Sequence, residues 1–312
     1  MGLLSDLPLP PRGKTGWPWT TESVADFSPI EQDKFWPKIS IITPSFNQGL
    51  FIEETIRSVL LQNHPNLEFI IFDGGSSDDS VEIIKKYDRW LTFWRTERDD
   101  GQGNAINKGL QICTGDIIAW LNSDDVFEQN TLNFVTKNMT LDKACWLIGS
   151  CRIIKANGDY ISIREPPHEI SQSTFLCWTS HWFPQPSTFW NRKALACTGM
   201  LNTSFQFIMD VDLWWRMSEH AEPIIVKNVL SRYRLHSNAK SVIDHEKSNS
   251  ELISWIYSNF ILNTDNSYIN FTKIFLKLIE LQSAIDRIKS HFVIGSALKL
   301  WRRHINQYFN KI

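Results

Sequence analysis

Between residues 39 and 121, short apolar runs alternate with helical periodicity, and each run ends in a polar, turn-forming cluster. Ile39-Ser40-Ile41-Ile42-Thr43 reads as a buried strand bounded by Pro44. Phe51, Thr55, Ile56, Val59 and Leu60 follow at helical spacing. Leu67–Phe72 is a second strand ending at Asp73-Gly74-Gly75, followed by a short helix over 78–87 that Ser77 or Asp78 can start. A third strand falls at 91–94, a helix at 103–113 and a fourth strand at Asp116–Leu121. This alternation predicts an α/β fold with a mostly parallel, Rossmann-like central sheet flanked by helices. Ligands of such sheets sit at the carboxyl ends of the strands. Thr43, Asp73 and Asn122–Asp125 all fall at such ends.

The remainder of the chain is less regular. Short strands are expected at Trp146–Ile154, Tyr160–Ile163 and Ile224–Val229, and a strong helix near 210–219. Helical periodicity takes over from about 250, with stripes through Phe271, Ile274, Phe275, Leu278 and then Phe292, Leu298, Trp301, Ile305. The predicted organisation is an arm over 1–37, a catalytic domain over 38–245 and a C-terminal helical extension over 246–312. Within the domain, 38–128 forms a donor half and 129–245 an acceptor half.

A chain of 312 residues that is 42% hydrophobic can build a sizeable core. Its formal net charge of −2 lacks the basic excess of a nucleic-acid-binding protein, and no nucleic-acid partner is expected. The 14 tryptophans hint at carbohydrate, since sugar rings stack on indole faces, although cores also use Trp. Cys113, Cys145, Cys151, Cys177 and Cys197 are odd in number and have no C-x-x-C spacing. That argues against a disulfide framework and a Cys-ligated zinc, and for buried thiols in a reducing compartment. The first twenty residues lack a signal peptide's basic start and apolar run, and no segment approaches the roughly 20 apolar residues of a bilayer span. A cytoplasmic location is therefore expected.

Asn122-Ser123-Asp124-Asp125 directly follows an apolar strand. Two carboxylates at a strand end suit a hard divalent cation, Mg or Mn, which can neutralise a diphosphate. Alone, the tetrad reads more readily as the N-cap of a helix starting near 126–130, through Ser123 or Asp124.

Its neighbours change the reading. Ile41–Asn47, the Asp73-Gly74-Gly75-Ser76-Ser77-Asp78 turn, Glu97–Gly103, Asn107-Lys108-Gly109, Gly115-Asp116 and the acidic tetrad resemble, in order, the motifs of family 2 glycosyltransferases of the GT-A fold. The resemblance runs from about Lys38 to Glu128, with weaker echoes to His236. It implies an inverting glycosyltransferase using a nucleoside-diphosphate sugar, UDP or dTDP, and a glycan or lipid-linked saccharide acceptor. Asp73 would accept the imide N–H of the pyrimidine, with a turn-forming Asp as the alternative. Thr43, Pro44, Ser45 and Asn47 would shape the nucleotide pocket. Asp99 would face ribose or sugar, and Lys108 the diphosphate, unless they are solvated surface charges. Asn122 stands where the family often has Asp, keeping an oxygen but losing a charge. With Ser123 it would line the donor site. Asp124 becomes the leading metal ligand, with Asp125 second and His236 of Arg232-Tyr233-Arg234-Leu235-His236 completing the set.

Phe207–Arg216 resembles the family segment that supplies the catalytic base at a helix start. Asp210 holds the matching position, although Met209 stands where Glu is common; Asp210 and Asp212 otherwise favour the helix dipole. Gln185 and Trp182 would bind the acceptor, by hydrogen bond and by stacking. Two rivals remain: a sugar-nucleotide pyrophosphorylase, whose Gly-rich basic N-terminal loop is missing, and a catalytically silent sugar- or nucleotide-binding protein of the same fold.

Gly13-Lys14-Thr15 lacks the upstream Gly and the strand of a phosphate loop, so Trp17 and Trp19 are expected to pack on the catalytic domain instead. The C-terminal cations Lys273, Lys277, Arg287, Lys289, Lys299, Arg302 and Arg303 beside an apolar stripe suit an anionic membrane surface, packing on the domain, or a homodimer.

Overall fold

The structure is a computed structural model that describes residues 2–24, 36–176, 178, 182–240 and 245–261. In chain order its strands are β1 Ile39–Ser45, β2 Leu67–Asp73, β3 Phe93–Thr96, β4 Ile117–Trp120, β5 Val126–Phe127, β6 Cys145–Lys155, β7 Tyr160–Arg164, β8 Thr188–Asn191 and β9 Glu222–Leu235. The helices are α1 Ile52–Leu60, α2 Ser80–Lys86, α3 Gln102–Ile112, α4 Thr131–Asn138, α5 Gln172–Leu176, α6 Arg192–Thr198, α7 Met209–His220 and α8 His245–Ile256.

One nine-stranded sheet joins both halves in the order β3-β2-β1-β4-β8-β6-β9-β5, with β7 paired to β6. The first four strands are mutually parallel, as the alternation predicts. Their crossovers α1 and α3 set apolar residues at helical spacing, among them Ile52, Ile56 and Val59, and Ala105, Ile106 and Leu110, into the cores. Beyond β4 the sheet becomes mixed: β8 is antiparallel to β4 and β6, while β9 is parallel to β6. Counting β1, β2, β3, β4, β6 and β9, six strands point one way, and β5, β7 and β8 point the other.

Each sheet face carries its own core. Ile39, Ile41, Phe69 and Ile71 face α1, α2 and α4. Ile42, Ile70, Phe72 and Trp120 face α3 and α7. Gly109 allows α3 to lie close on the sheet, since a Cβ there would sit 2.5 Å from Ile42 Cγ2. Five fully buried tryptophans, with Trp255 the fifth, belong to the second core: Trp120 stacks on Trp214 at 5.3 Å, Trp214 on Trp146 at 5.6 Å, and Trp190 meets Trp120 edge-on. Much of the tryptophan content is thus packing rather than a sugar platform.

Two strands differ from expectation. β3 starts at Phe93, because Leu91 instead closes a turn on Asp88. β9 runs on to Leu235, beyond the apolar run 224–229. Its charged second half is held by ladders to β6 on one side and β5 on the other. The boundary expected at 245/246 falls at the start of α8, whose Leu252, Trp255 and Ile256 belong to the same core as Trp214. The helical stripes and cations beyond 261 lie outside the described residues. Cys113, Cys145 and Cys151 are buried free thiols and Cys197 an exposed one; Cys177 is outside the described residues. Among the described residues no helix is long and apolar enough to cross a membrane.

The N-terminal arm is built into the domain. Trp17 Nε1 donates to the Phe127 carbonyl at 2.7 Å, and Trp19 is buried. Arg57, fully buried on α1, donates to the carbonyls of Pro8, Pro18 and Trp19 and to the Tyr87 hydroxyl. Its guanidinium satisfies arm carbonyls that would otherwise be buried without donors. Arg57→Met should therefore lower unfolding free energy by about 3 kcal/mol, read from urea melts. A change below about 0.5 kcal/mol, the range of ordinary surface substitutions, would show that the arm does not depend on this residue.

Candidate active site

The acidic tetrad is pinned from both sides. After β4 the chain turns tightly, with Asp125 N–H donating to the Asn122 carbonyl, and enters β5, which pairs with β9. The next helix begins only at Thr131, so neither Ser123 nor Asp124 caps a helix at 126–130. Because β9 runs beside β5, His236 at its end arrives next to Asp124 across 112 residues of chain. Nε2 of His236 lies 2.9 Å from Asp124 Oδ2. The imidazole is nearly buried and packs on the Phe51 ring at 4.7 Å, which fixes its plane. Asp124 keeps a partly open carboxylate.

Asp125 points the other way. It is buried; Oδ1 accepts the Arg234 N–H at 3.0 Å and Oδ2 the Asn122 amide at 3.3 Å. Burial first, and then the adjacent Asp124, push its carboxyl well above the ordinary range. Expected from the sequence as the second metal ligand, it is instead engaged inside the loop. Among the described residues no third His, Cys, Asp or Glu joins Asp124 and His236. One carboxylate and one imidazole are donors of a kind that suits Mg or Mn.

Asn122 is fully used: Oδ1 accepts from Gln102 Nε2 at 2.7 Å, and Nδ2 donates to Gln185 Oε1 as well as to Asp125. Gln185, expected to bind acceptor, is buried and donates to the Trp120 carbonyl at 2.7 Å. It thereby bolts the end of β4 to Asn122. Trp182 lies under the Arg164 guanidinium at 4.7 Å and near Tyr233 at 6.1 Å. Ser123 is buried within the tetrad.

At the carboxyl ends of β1 and β2, the parallel register sets Ser45 beside Asp73. The Thr43 and Ser45 hydroxyls are buried without a hydrogen-bond partner, a costly arrangement. Pro44 is buried between them, and Asn47, at φ 52°, accepts from Ser77 N–H and joins the two strand-end loops. The Asp73 carboxylate accepts from Gly75 N, Ser76 N, Ser76 Oγ and Thr96 Oγ1. Three of these bonds fall on Oδ1 and one on Oδ2, so the carboxylate shapes the turn while Oδ2 keeps one lone pair open. Asp99 packs against Gly74, its oxygens 3.2 Å from where a Cβ would stand, and accepts from Gly101 N–H. Gly101, at φ 106°, then turns the chain into α3. Lys108 is bound to Glu97 at 2.7 Å, so it enters the site already paired.

Asp210 lies in the first turn of α7. Gly103 of α3 sits against Met209, a Cβ there falling 3.1 Å from its Sδ, and Gly101 faces Gln206. The start of α7 thus closes on the start of α3, beside Gln102 and Asn122. Asp210 accepts the Val211 N–H at 2.9 Å. Burial pushes its carboxyl up to about 6, against the lowering by that hydrogen bond and by the Lys240 charge. A carboxylate poised there suits a proton acceptor working near neutral pH. Asp212, two residues on, is instead committed to Arg216 and Trp255 Nε1.

Three residues not singled out from the sequence organise this site. Arg234 is buried, donating Nε to the Asp124 carbonyl and Nη2 to Glu54, so it holds the tetrad from below. Gln102 bridges Asn122 to Lys240, whose Nζ lies 3.5 Å from its Oε1. Arg234 carried a signal as a charge alternating with apolar residues in a strand leading to His236, and Gln102 as a member of the Glu97–Gly103 motif; Lys240 carried none.

A model of glycosyl transferase family 2 matches residues 40–201. The putative teichuronic acid biosynthesis glycosyltransferase TuaG of Bacillus subtilis is 36% identical over 112 residues, 35% of this chain and 44% of TuaG. An uncharacterized glycosyltransferase of Rickettsia bellii is 25% identical over 238 residues, 72% of this chain and 34% of the relative. The chain spans less than half the length of both. Among solved structures, S. aureus TarS 1–349 in complex with UDP-GlcNAc has a TM-score of 0.53 at 16% identity, covering 75% of this chain and 70% of that one. The mannosyltransferase PcManGT from Pyrobaculum calidifontis, in complex with GDP-Man and Mn2+, has a TM-score of 0.57 at 16% identity, covering 86% and 83%. At that identity the likeness is one of fold.

Proposed function

The chain belongs to glycosyltransferase family 2, and on that premise we propose that it transfers a sugar from a nucleoside-diphosphate donor to a hydroxyl of a glycan or lipid-linked saccharide, with inversion. The observation that carries this reading is the convergence of two distant segments. The Asp124–His236 pair and the Asp210 carboxyl approach the same strand ends through the contact of α3 with α7.

The step is a single displacement. The acceptor oxygen attacks the anomeric carbon while Asp210 takes the hydroxyl proton. The bond from that carbon to the diphosphate breaks, and its electron pair leaves with the diphosphate. Asp124 and His236 would hold Mg or Mn, and the chemistry such an ion supplies is neutralisation of the leaving group's charge. Asp125 keeps the loop in shape, Asp99 and the strand-end hydroxyls of Thr43 and Ser45 line the donor, and Trp182 offers an acceptor face. Asp73 Oδ2 keeps a lone pair for the imide N–H of uracil or thymine; GDP-sugars stand beside UDP- and dTDP-sugars among the candidates, as PcManGT was solved with GDP-Man.

The test is release of nucleoside diphosphate from a panel of UDP-, dTDP- and GDP-sugars with saccharide acceptors, with and without EDTA. Turnover that EDTA suppresses is expected with at least one donor. Nucleotide binding with no turnover across the panel would instead favour a silent binding protein.

A further inference from the structure

We propose that Lys240 is a donor-binding residue whose ammonium meets the diphosphate from the side opposite Asp124 and His236; this rests on the function proposed above. Lys240 follows His236 by one turn, closed by the Ala239 N–H donating to the His236 carbonyl at 3.0 Å. Past the His–Asp pair the chain therefore turns toward the start of α3. Its ammonium comes to lie 5.3 Å over the Phe207 ring and 3.5 Å from Gln102 Oε1. Gln102 in turn holds Asn122, and Phe207 precedes Asp210 by three residues. The cation thus sits between the acidic tetrad and the base.

What distinguishes Lys240 is that its charge is unmatched at close range. Lys108 is committed to Glu97 at 2.7 Å, and Arg234 to Glu54 at 3.0 Å. Among the described residues Lys240 has no carboxylate within ion-pair distance; a neutral amide at the limit of hydrogen bonding and an aromatic face are its contacts. Glu251 acts on it only from further off and is itself occupied by the Gln206 and Phe207 N–H groups. Partial burial pulls the Lys240 pKa down, the mark of a cation short of a counter-charge. An anion within this site meets that demand, and the diphosphate is the anion the reaction brings. Asp210, the other charge nearby, is kept apart as the base, so donor binding draws Lys240 to the phosphate oxygens.

Lys240→Met keeps the chain length and removes the charge; Lys240→Gln is the second neutral variant, and Lys240→Arg keeps the charge. Binding of UDP and UMP, GDP and GMP, and dTDP and dTMP is measured calorimetrically with Mn2+ at two salt concentrations. In both neutral variants, the diphosphate that wild type binds should weaken by about tenfold or more, and its monophosphate by much less. The arginine variant should stay near wild type, and the neutral variants should lose part of the salt dependence. Equal weakening of diphosphate and monophosphate, or none, overturns the assignment and leaves Lys240 a structural tie to α3. If wild type binds none of UDP, GDP or dTDP, the proposed function fails and this inference with it.

Discussion

Asp210→Asn should lower turnover by about 10²–10⁴-fold while nucleoside-diphosphate binding stays close to that of the wild type. The amide preserves shape and still accepts the Val211 N–H, but it cannot take a proton from the acceptor. Burial places the native carboxyl at about 6, and only the ionised form is a base. In the wild type, kcat/KM should therefore rise with pH through about 6 and level off above it. Stability should move the opposite way. The folded pKa lies above the unfolded value of about 3.9, so folding favours the neutral form and ionised Asp210 opposes it. That penalty is absent below about pH 4, grows between about 4 and 6, and is complete above, where it reaches about 3 kcal/mol. Asn carries no such penalty. Asp210→Asn should consequently melt higher than wild type at pH 8 and match it at pH 4, the trade expected where a site is built for chemistry rather than stability. Activity within tenfold of wild type would remove Asp210 from the reaction; an unchanged melting point at pH 8 would refute the buried, ionised carboxylate.

Asp124→Ala should abolish the response to Mg or Mn and lower turnover by about 10²–10³-fold, the usual effect of deleting a preorganised electrostatic group. The tetrad should keep its path, because Arg234 holds residue 124 through its carbonyl, not its side chain. Asp125→Ala is the matched control. It removes the acceptor of the buried Arg234 N–H and should cost about 1–3 kcal/mol of stability. Mn2+ titrations of activity and of calorimetric binding, with urea melts of both variants, separate the two roles. Metal dependence that survives Asp124→Ala, or that is lost equally in a stable Asp125→Ala, would reverse the assignment.

The segment from β1 to the acidic tetrad was legible because its signals are local. β1, β2 and β4 are apolar runs that a parallel sheet buries on both faces, and Asp73-Gly74-Gly75 and Asn122–Asp125 fall at strand ends whatever follows them. The second half was less so. β9 was seen only to Val229, since the charged residues of its remainder give no hydrophobic period, and only its ladders to β5 and β6 extend it. Gln185 illustrates the same limit, since an uncharged polar residue after a proline gives no sign that it will be buried against Trp120 and Asn122.

The acidic tetrad draws the line most clearly. By itself the sequence determined that two carboxylates stand together at the end of an apolar strand. The family resemblance ranked Asp124 ahead of Asp125, but the two residues alone do not say which one faces the ligand, because adjacent side chains differ only in direction. The pairing of β5 with β9 decided that: it turns Asp125 toward the Arg234 backbone, where burial disfavours its charged form, and brings His236 from 112 residues away to Asp124. Which residue is a ligand and which a support is a property of burial and register, and those exist only once distant strands have met.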